Sequence, residues 1–208
     1  FKIDTTAPMV ELSEVLSAKT LTDDQVARLI DAAKREDSEA HRTYVWQALF
    51  TSRSSMAMEY LREVLGPKTP EDAALEFMHG VRGLREAQAP FLVSLYAHHP
   101  SRAVQEAVLS LAASGEYVRG VEGGAGDAIL LGIVREPAAP QDRLTAIRAA
   151  YERPGTRFAA DNLMKEAVER EEEPARRCDL YRLAISNHGD QWLGPLLKSD
   201  EPENTKLA

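Results

Sequence analysis

Four separated stretches of this chain place apolar side chains at i, i+3, i+4 and i+7. They are Ala57, Tyr60, Leu61 and Val64; Ala74, Phe77, Met78 and Val81; Val104, Ala107, Val108 and Leu111; and Ala160, Leu163, Met164 and Ala167. That spacing gathers each set on one face of a 3.6-residue helix and leaves the opposite face to polar groups. Shorter copies occur at Val45, Ala48 and Leu49, at Leu144, Ile147 and Tyr151, and at Leu180, Leu183 and Ala184. A helix with one apolar face must bury it, and a chain carrying many such faces must pack helix on helix. Aromatics make up only 6% of the residues while alanine and leucine are plentiful, which favours close helix packing over a sheet of β-branched side chains. The predicted class is all-α, and 208 residues suffice for one or at most two domains.

The pattern, punctuated by glycine and proline, predicts helices over 9–18, 22–36, 40–52, 54–65, 70–83, 86–99, 101–114, 126–136, 140–153, 156–171, 174–187 and 190–198. Several starts carry caps. Thr22 or Asp23 precedes Gln25, Thr69 and Pro70 open the segment at 70, and Ser101 stands ahead of its helix. Taking every second helix, the series near Val45, Ala74, Val104, Leu144 and Leu180 recurs at roughly 30 to 40 residues, the period of two-helix repeats.

The segments SRAVQEAVLSLAAS, PQDRLTAIRAAYER and EPARRCDLYRLAISN, which are alanine-rich and open on polar or basic residues, resemble the second helices of HEAT-type repeats over about residues 40–198. The chain departs from the tetratricopeptide and ankyrin patterns, having neither a W-x2-L-G-x2-Y block nor T-P-L-H. The resemblance implies an α-solenoid of antiparallel helical hairpins with the second helices lining a concave side. On that reading residues 1–39 form an N-terminal helical cap, 40–198 the repeat domain and 199–208, polar after Leu197, a disordered tail.

Chemistry-bearing motifs are scarce. His98 and His99, ahead of Pro100, read as the corner between two helices, with imidazoles favourably placed at a helix C-terminus. His41, His79 and His188 complete no zinc spacing, and Cys178 reads as a buried thiol, so neither a metal nor a cofactor is expected. The glycine-rich stretch from Gly115 to Gly126 lacks the ending of a phosphate-binding loop. It reads as an excursion that would present Tyr117, Val118 and Arg119 to a ligand. Glu171, Glu172 and Glu173 read as a solvated helix end. A net charge of −8 disfavours nucleic acid. No apolar run reaches the roughly 18 residues that cross a bilayer. An opening at Phe1 is compatible with a processed product or an excised segment, and the cytoplasm is the default location.

Arginine outnumbers lysine 18 to 7. In the stacking that the resemblance implies, Arg42, Arg82, Arg102, Arg143, Arg148, Arg176, Arg177 and Arg182 fall on the second-helix series and would line a groove for carboxylates or phosphates, with inter-repeat ladders the structural alternative. Trp46 and Trp192 serve either repeat packing or an interface. The candidate partner-binding residues are therefore Arg42, Trp46, Arg82, Arg102, Tyr117, Arg119, Arg143, Arg148 and Arg182. The expected function is a non-catalytic interaction or scaffold module for a protein or peptide. The alternatives are an enzyme of the HEAT-like lyase or glycosylase kind and a structural domain of a longer chain. Two mutational expectations follow: Ala107→Asp unfolds the array, and Arg143→Ala leaves the fold intact while weakening partner binding.

Overall fold

The computed structural model describes residues 21–36, 38–52, 54–81, 84–114, 124–152, 157–188 and 192–194. Helix α1 (Asp23–Arg35) illustrates how the sequence builds each element. The Thr22 hydroxyl accepts from the Gln25 N–H at 3.3 Å while Gln25 Oε1 accepts from the Thr22 N–H at 2.9 Å, closing a capping box. Asp23 and Asp24 complement the positive end of the dipole, and Lys34 and Arg35 the negative end. Val26, Leu29, Ile30 and Ala33 form the buried stripe.

Nine α-helices follow among the described residues: α2 (Glu39–Thr51), α3 (Ser55–Val64), α4 (Glu71–Gly80), α5 (Ala89–His98), α6 (Arg102–Ser114), α7 (Ala125–Arg135), α8 (Pro140–Glu152), α9 (Arg157–Arg170) and α10 (Pro174–His188). A 3₁₀ turn, Glu86–Gln88, leads into α5, and no strand occurs among the described residues. The chain is all-α. Every substantial contact between α-helices joins elements one or two apart in the chain. The odd helices thus touch in the order α1, α3, α5, α7, α9, and the even helices in the order α2, α4, α6, α8, α10.

The core runs between these two rows. Phe50 of α2, Phe77 of α4 and Phe91 of α5 meet with ring centroids 5.6 to 6.0 Å apart, tilted or edge to face. Farther along, α7 buries Ile129, Leu130, Ile133 and Val134 completely and packs against α5, α6, α8 and α9. Gly132 permits the approach to α5, since a Cβ there would sit 2.6 Å from Val93 Cγ2. Gly124, at φ 96°, caps α7 in a left-handed conformation that favours glycine.

Helical positions match the sequence reading closely, with instructive departures. The segment expected to run to 83 ends at Gly80, with Val81 extended. Thr69 does not cap α4. Its hydroxyl donates to Val64 O at 2.6 Å, finishing α3, and Pro70 takes the N-cap position. Ser101 does cap, its Oγ accepting from the Val104 N–H at 3.3 Å. Ala107 and Leu111 are only partly buried, whereas Val104 and Ala112 are fully enclosed. Ala112 is therefore the better position for a disruptive charge than Ala107. The predicted helix at 9–18, the rest of the proposed cap before Leu21 and the tail at 199–208 lie outside the described residues, as does most of 190–198.

Candidate binding site

The starts of the even helices are strapped to one another by side chains. Ser101, capping α6, donates to Glu71 Oε2 at the start of α4 at 2.6 Å. Arg102, the first residue of α6, donates to Asp142 in the first turn of α8 through Nη1 at 2.7 Å and Nη2 at 2.5 Å. Arg143 of α8 donates to Glu171, just ahead of α10, at 2.8 Å, and its Nε donates to Val134 O at 2.9 Å. Arg176 of α10 reaches the same carboxylate at 3.2 Å. In the odd row, Arg135 of α7 forks onto Glu166 of α9 at 2.7 and 2.9 Å.

Asp142 is the most enclosed of these carboxylates. It also accepts the Tyr96 hydroxyl and, at 3.2 Å, the Ala139 N–H, while Tyr96 accepts from the Ala138 N–H at 2.8 Å. Burial pushes the Asp142 carboxyl up, but hydrogen bonds from Arg102 and Tyr96 outweigh it and hold it below the ordinary aspartate range. Burial and the hydrogen bond to Asp142 drive the Tyr96 phenol well above its usual value. Glu171, read from sequence as solvated, is instead buried between Arg143 and Arg176. The run of glutamates concealed this because the partner of its first member lies 28 residues away.

The histidine corner is structural. His99 is buried, its Nδ1 accepts from the Ser101 N–H at 3.2 Å, and its Nε2 lies 3.2 Å from Thr69 O. Since Nδ1 accepts, the ring proton sits on Nε2 and is donated to Thr69. His98 lies exposed, with Nδ1 2.9 Å from Ser94 O. Among the described residues no group of three or more His, Cys, Asp or Glu could hold a metal ion. Cys178 is a buried free thiol. No helix among the described residues is long and apolar enough to cross a membrane.

The sequence-predicted site residues therefore separate. Arg102 and Arg143 are engaged by carboxylates of the fold, Arg182 pairs with Asp179 on its own helix at 3.3 Å, and Arg148 is exposed. Arg82, Tyr117 and Arg119 lie outside the described residues. Arg42 and Trp46 alone share a site. One helical turn apart on α2, they face a cleft of about 790 Å³ closed by Ala33 and Lys34 of α1, by Tyr60, Glu63 and Val64 of α3, and by the turn from Gly66 to Pro70 ahead of α4. Trp46 is 7% exposed, and Arg42 Nε is buried without a hydrogen-bond partner among the described residues. Burial raises the Tyr60 phenol, a hydrogen bond from the Trp46 indole pulls it part of the way back, and the charges of Glu63 and Arg42 act in opposite directions, Glu63 upward and Arg42 downward. The Lys34 ammonium sits 5.7 Å from the centre of the Tyr60 ring. Lys68 joins the rim, and Glu63 is the one acidic side chain of the lining among the described residues.

Lys34, Tyr60 and Lys68 escape sequence reasoning because they come from three separate elements. The visible signal is the i, i+4 spacing of Arg42 and Trp46, which puts both on one helix face. A buried guanidinium N–H without an acceptor among the described residues, rimmed by cations and backed by aromatic rings, equips the cleft to hold an acceptor with an apolar neighbour. Comparison with protein-family models, curated proteins and solved structures finds no match for the chain.

Proposed function

We propose that the chain is a stack of antiparallel helical hairpins, an α-solenoid of the HEAT-like kind, and that it acts as a non-catalytic interaction module. Its protein or peptide partner inserts into the cleft between α1, α2, α3 and the α3–α4 turn. The restriction of helix contacts to neighbours one or two apart supports the stack, since repeat arrays bury each unit against its neighbours alone. The straps between successive even helices recur as inter-repeat ladders would.

The observation that carries the function is the buried Arg42 Nε, which has no acceptor among the described residues and stands in a cleft walled by Trp46 and Tyr60. A native interior rarely tolerates such donors, because each lost bond to water costs about 1–3 kcal/mol. A partner that supplies the acceptor recovers that cost, and truncating an aromatic or arginine anchor at such a place weakens binding steeply.

The test is selection of a displayed library of linear peptides against the immobilised full chain. Peptides should be enriched whose binding is lost in Arg42→Gln and Trp46→Ala, with circular dichroism and thermal melts confirming that both variants stay folded. No enrichment, or enriched peptides indifferent to both changes, would remove this reading.

A further inference from the structure

Resting on that reading, we infer that the group the cleft recognises is a side-chain carboxylate of an acidic peptide, a glutamate in the place of one that the fold itself uses elsewhere. The inference comes from comparing two steps of the even row. Arg143 is the fourth residue of α8, and Arg42 is the fourth residue of α2. Glu171, which binds Arg143, stands three residues ahead of the first residue of α10. The equivalent position, three ahead of α4, is Lys68.

At the α8–α10 step the arginine thus has a glutamate to meet it and a carbonyl to take its Nε proton. At the α2–α4 step the glutamate is replaced by a cation, and Arg42 Nε has no acceptor among the described residues. The strap is open, and the charge around it is reversed. Trp46 lies one helical turn away in the same lining, so the arginine that lacks its carboxylate stands beside an aromatic wall. Lys34 and Lys68 outnumber Glu63 in the lining and supply a local positive potential on a molecule of net charge −8, which favours an anion at this cleft. The Trp46 and Tyr60 rings give an apolar residue next to the glutamate a surface to cover. A peptide is favoured over a small acid because the missing member is a glutamate side chain delivered by a backbone, as Glu171 is.

The experiment uses the ¹⁵N-labelled full chain and follows the two indole N–H resonances, from Trp46 and Trp192. It is titrated with a capped Leu-Glu-Leu peptide, with its Leu-Gln-Leu counterpart and with sodium acetate. The glutamate peptide should move the Trp46 resonance saturably and leave Trp192 still, bind at least about tenfold tighter than the glutamine peptide, and weaken as salt rises. Arg42→Gln should erase the preference, while Arg42→Lys should retain part of it because charge survives without the fork. Equal binding of the two peptides, a Trp46 resonance that never moves, or a preference that survives Arg42→Gln would each overturn the inference. Acetate matching the peptide in affinity would overturn the peptide as occupant. The two proposals fail separately: library peptides that depend on Trp46 but contain no required acid would sink the carboxylate and leave the interaction module standing.

Discussion

Replacing Asp142 by asparagine keeps shape and removes charge, at a position whose side chain is 1% exposed. The carboxylate receives four donors: two from Arg102, the Tyr96 hydroxyl and the Ala139 N–H. An asparagine amide retains one acceptor oxygen and turns an NH₂ group toward donors on its other side, so at least one of the two oxygen positions loses its bonds. Bonds to a charged group are worth about 1.5–3 kcal/mol each. Arg102 is 38% exposed and keeps Glu106 within 3.0 Å, so its freed N–H groups recover much of their share from water and from that neighbour. The net cost should be about 2–3 kcal/mol, a fall in Tm of about 4–12 °C for a chain of this size. The Asp142 carboxyl is held below its ordinary value, so its stabilisation is present above the unfolded pKa of about 3.9 and is lost as pH falls through the folded one. Urea denaturation followed by circular dichroism should therefore show a gap between wild type and Asp142→Asn that is full at neutral pH and narrows below about pH 4. A variant within about 0.5 kcal/mol of wild type at neutral pH, or a gap that stays constant into acid, would refute the reasoning.

Gly132→Ala should cost about 1–3 kcal/mol because its Cβ meets Val93 Cγ2 at 2.6 Å and Cγ1 at 2.8 Å; Val93→Ala in the same chain should return part of the loss, measured by thermal melts. Arg143→Ala should destabilise by about 2–4 kcal/mol, since it strips a partner from Glu171, 7% exposed. Arg135→Ala, removing a pair whose members are 47% and 29% exposed, should cost under about 1 kcal/mol, and denaturant midpoints distinguish the two. Tyr96, raised by burial and by Asp142, contributes stability that is full below its unfolded pKa of about 10 and is lost as pH rises through the folded value. Wild type should accordingly lose stability above about pH 10 more steeply than Tyr96→Phe, and parallel alkaline denaturation curves would contradict this.

The helices were legible because the signals that set them are local. The i, i+3, i+4, i+7 sets at Ala57, Ala74 and Ala160 all face the core, and Thr22 and Ser101 cap as their sequence contexts imply. The exceptions arise where a distant group competes for a local one. Thr69 looks like a cap from its neighbours, yet its hydroxyl finds a better acceptor in the last turn of α3. Glu171 looks solvated in a run of three acids, yet two arginines and the end of α9 enclose it. From sequence Arg143 is expected to face a partner, yet its side chain is 12% exposed and donates to Val134 O and to Glu171, so the loss of stability predicted above for Arg143→Ala departs from that expectation. Of the candidate site, α2 contributed the two residues that sequence could find. Its remaining wall depends on how α1, α3 and the α3–α4 turn converge, which no spacing along the chain encodes.

The arginine excess, read alone, suggests a basic groove, but most of the arginines that the structure places on the even row spend their charge inside the molecule. A guanidinium bound by a buried carboxylate has little attraction left for a partner, because the fold has already neutralised it and fixed its geometry. The functional weight of each arginine therefore depends on whether the next step of the row supplies its anion. At Arg102 and Arg143 it does, through Asp142 and Glu171. At Arg42 the corresponding position holds Lys68, so the strap that Glu171 closes for Arg143 has no counterpart there, and Arg42 Nε is left without an acceptor among the described residues.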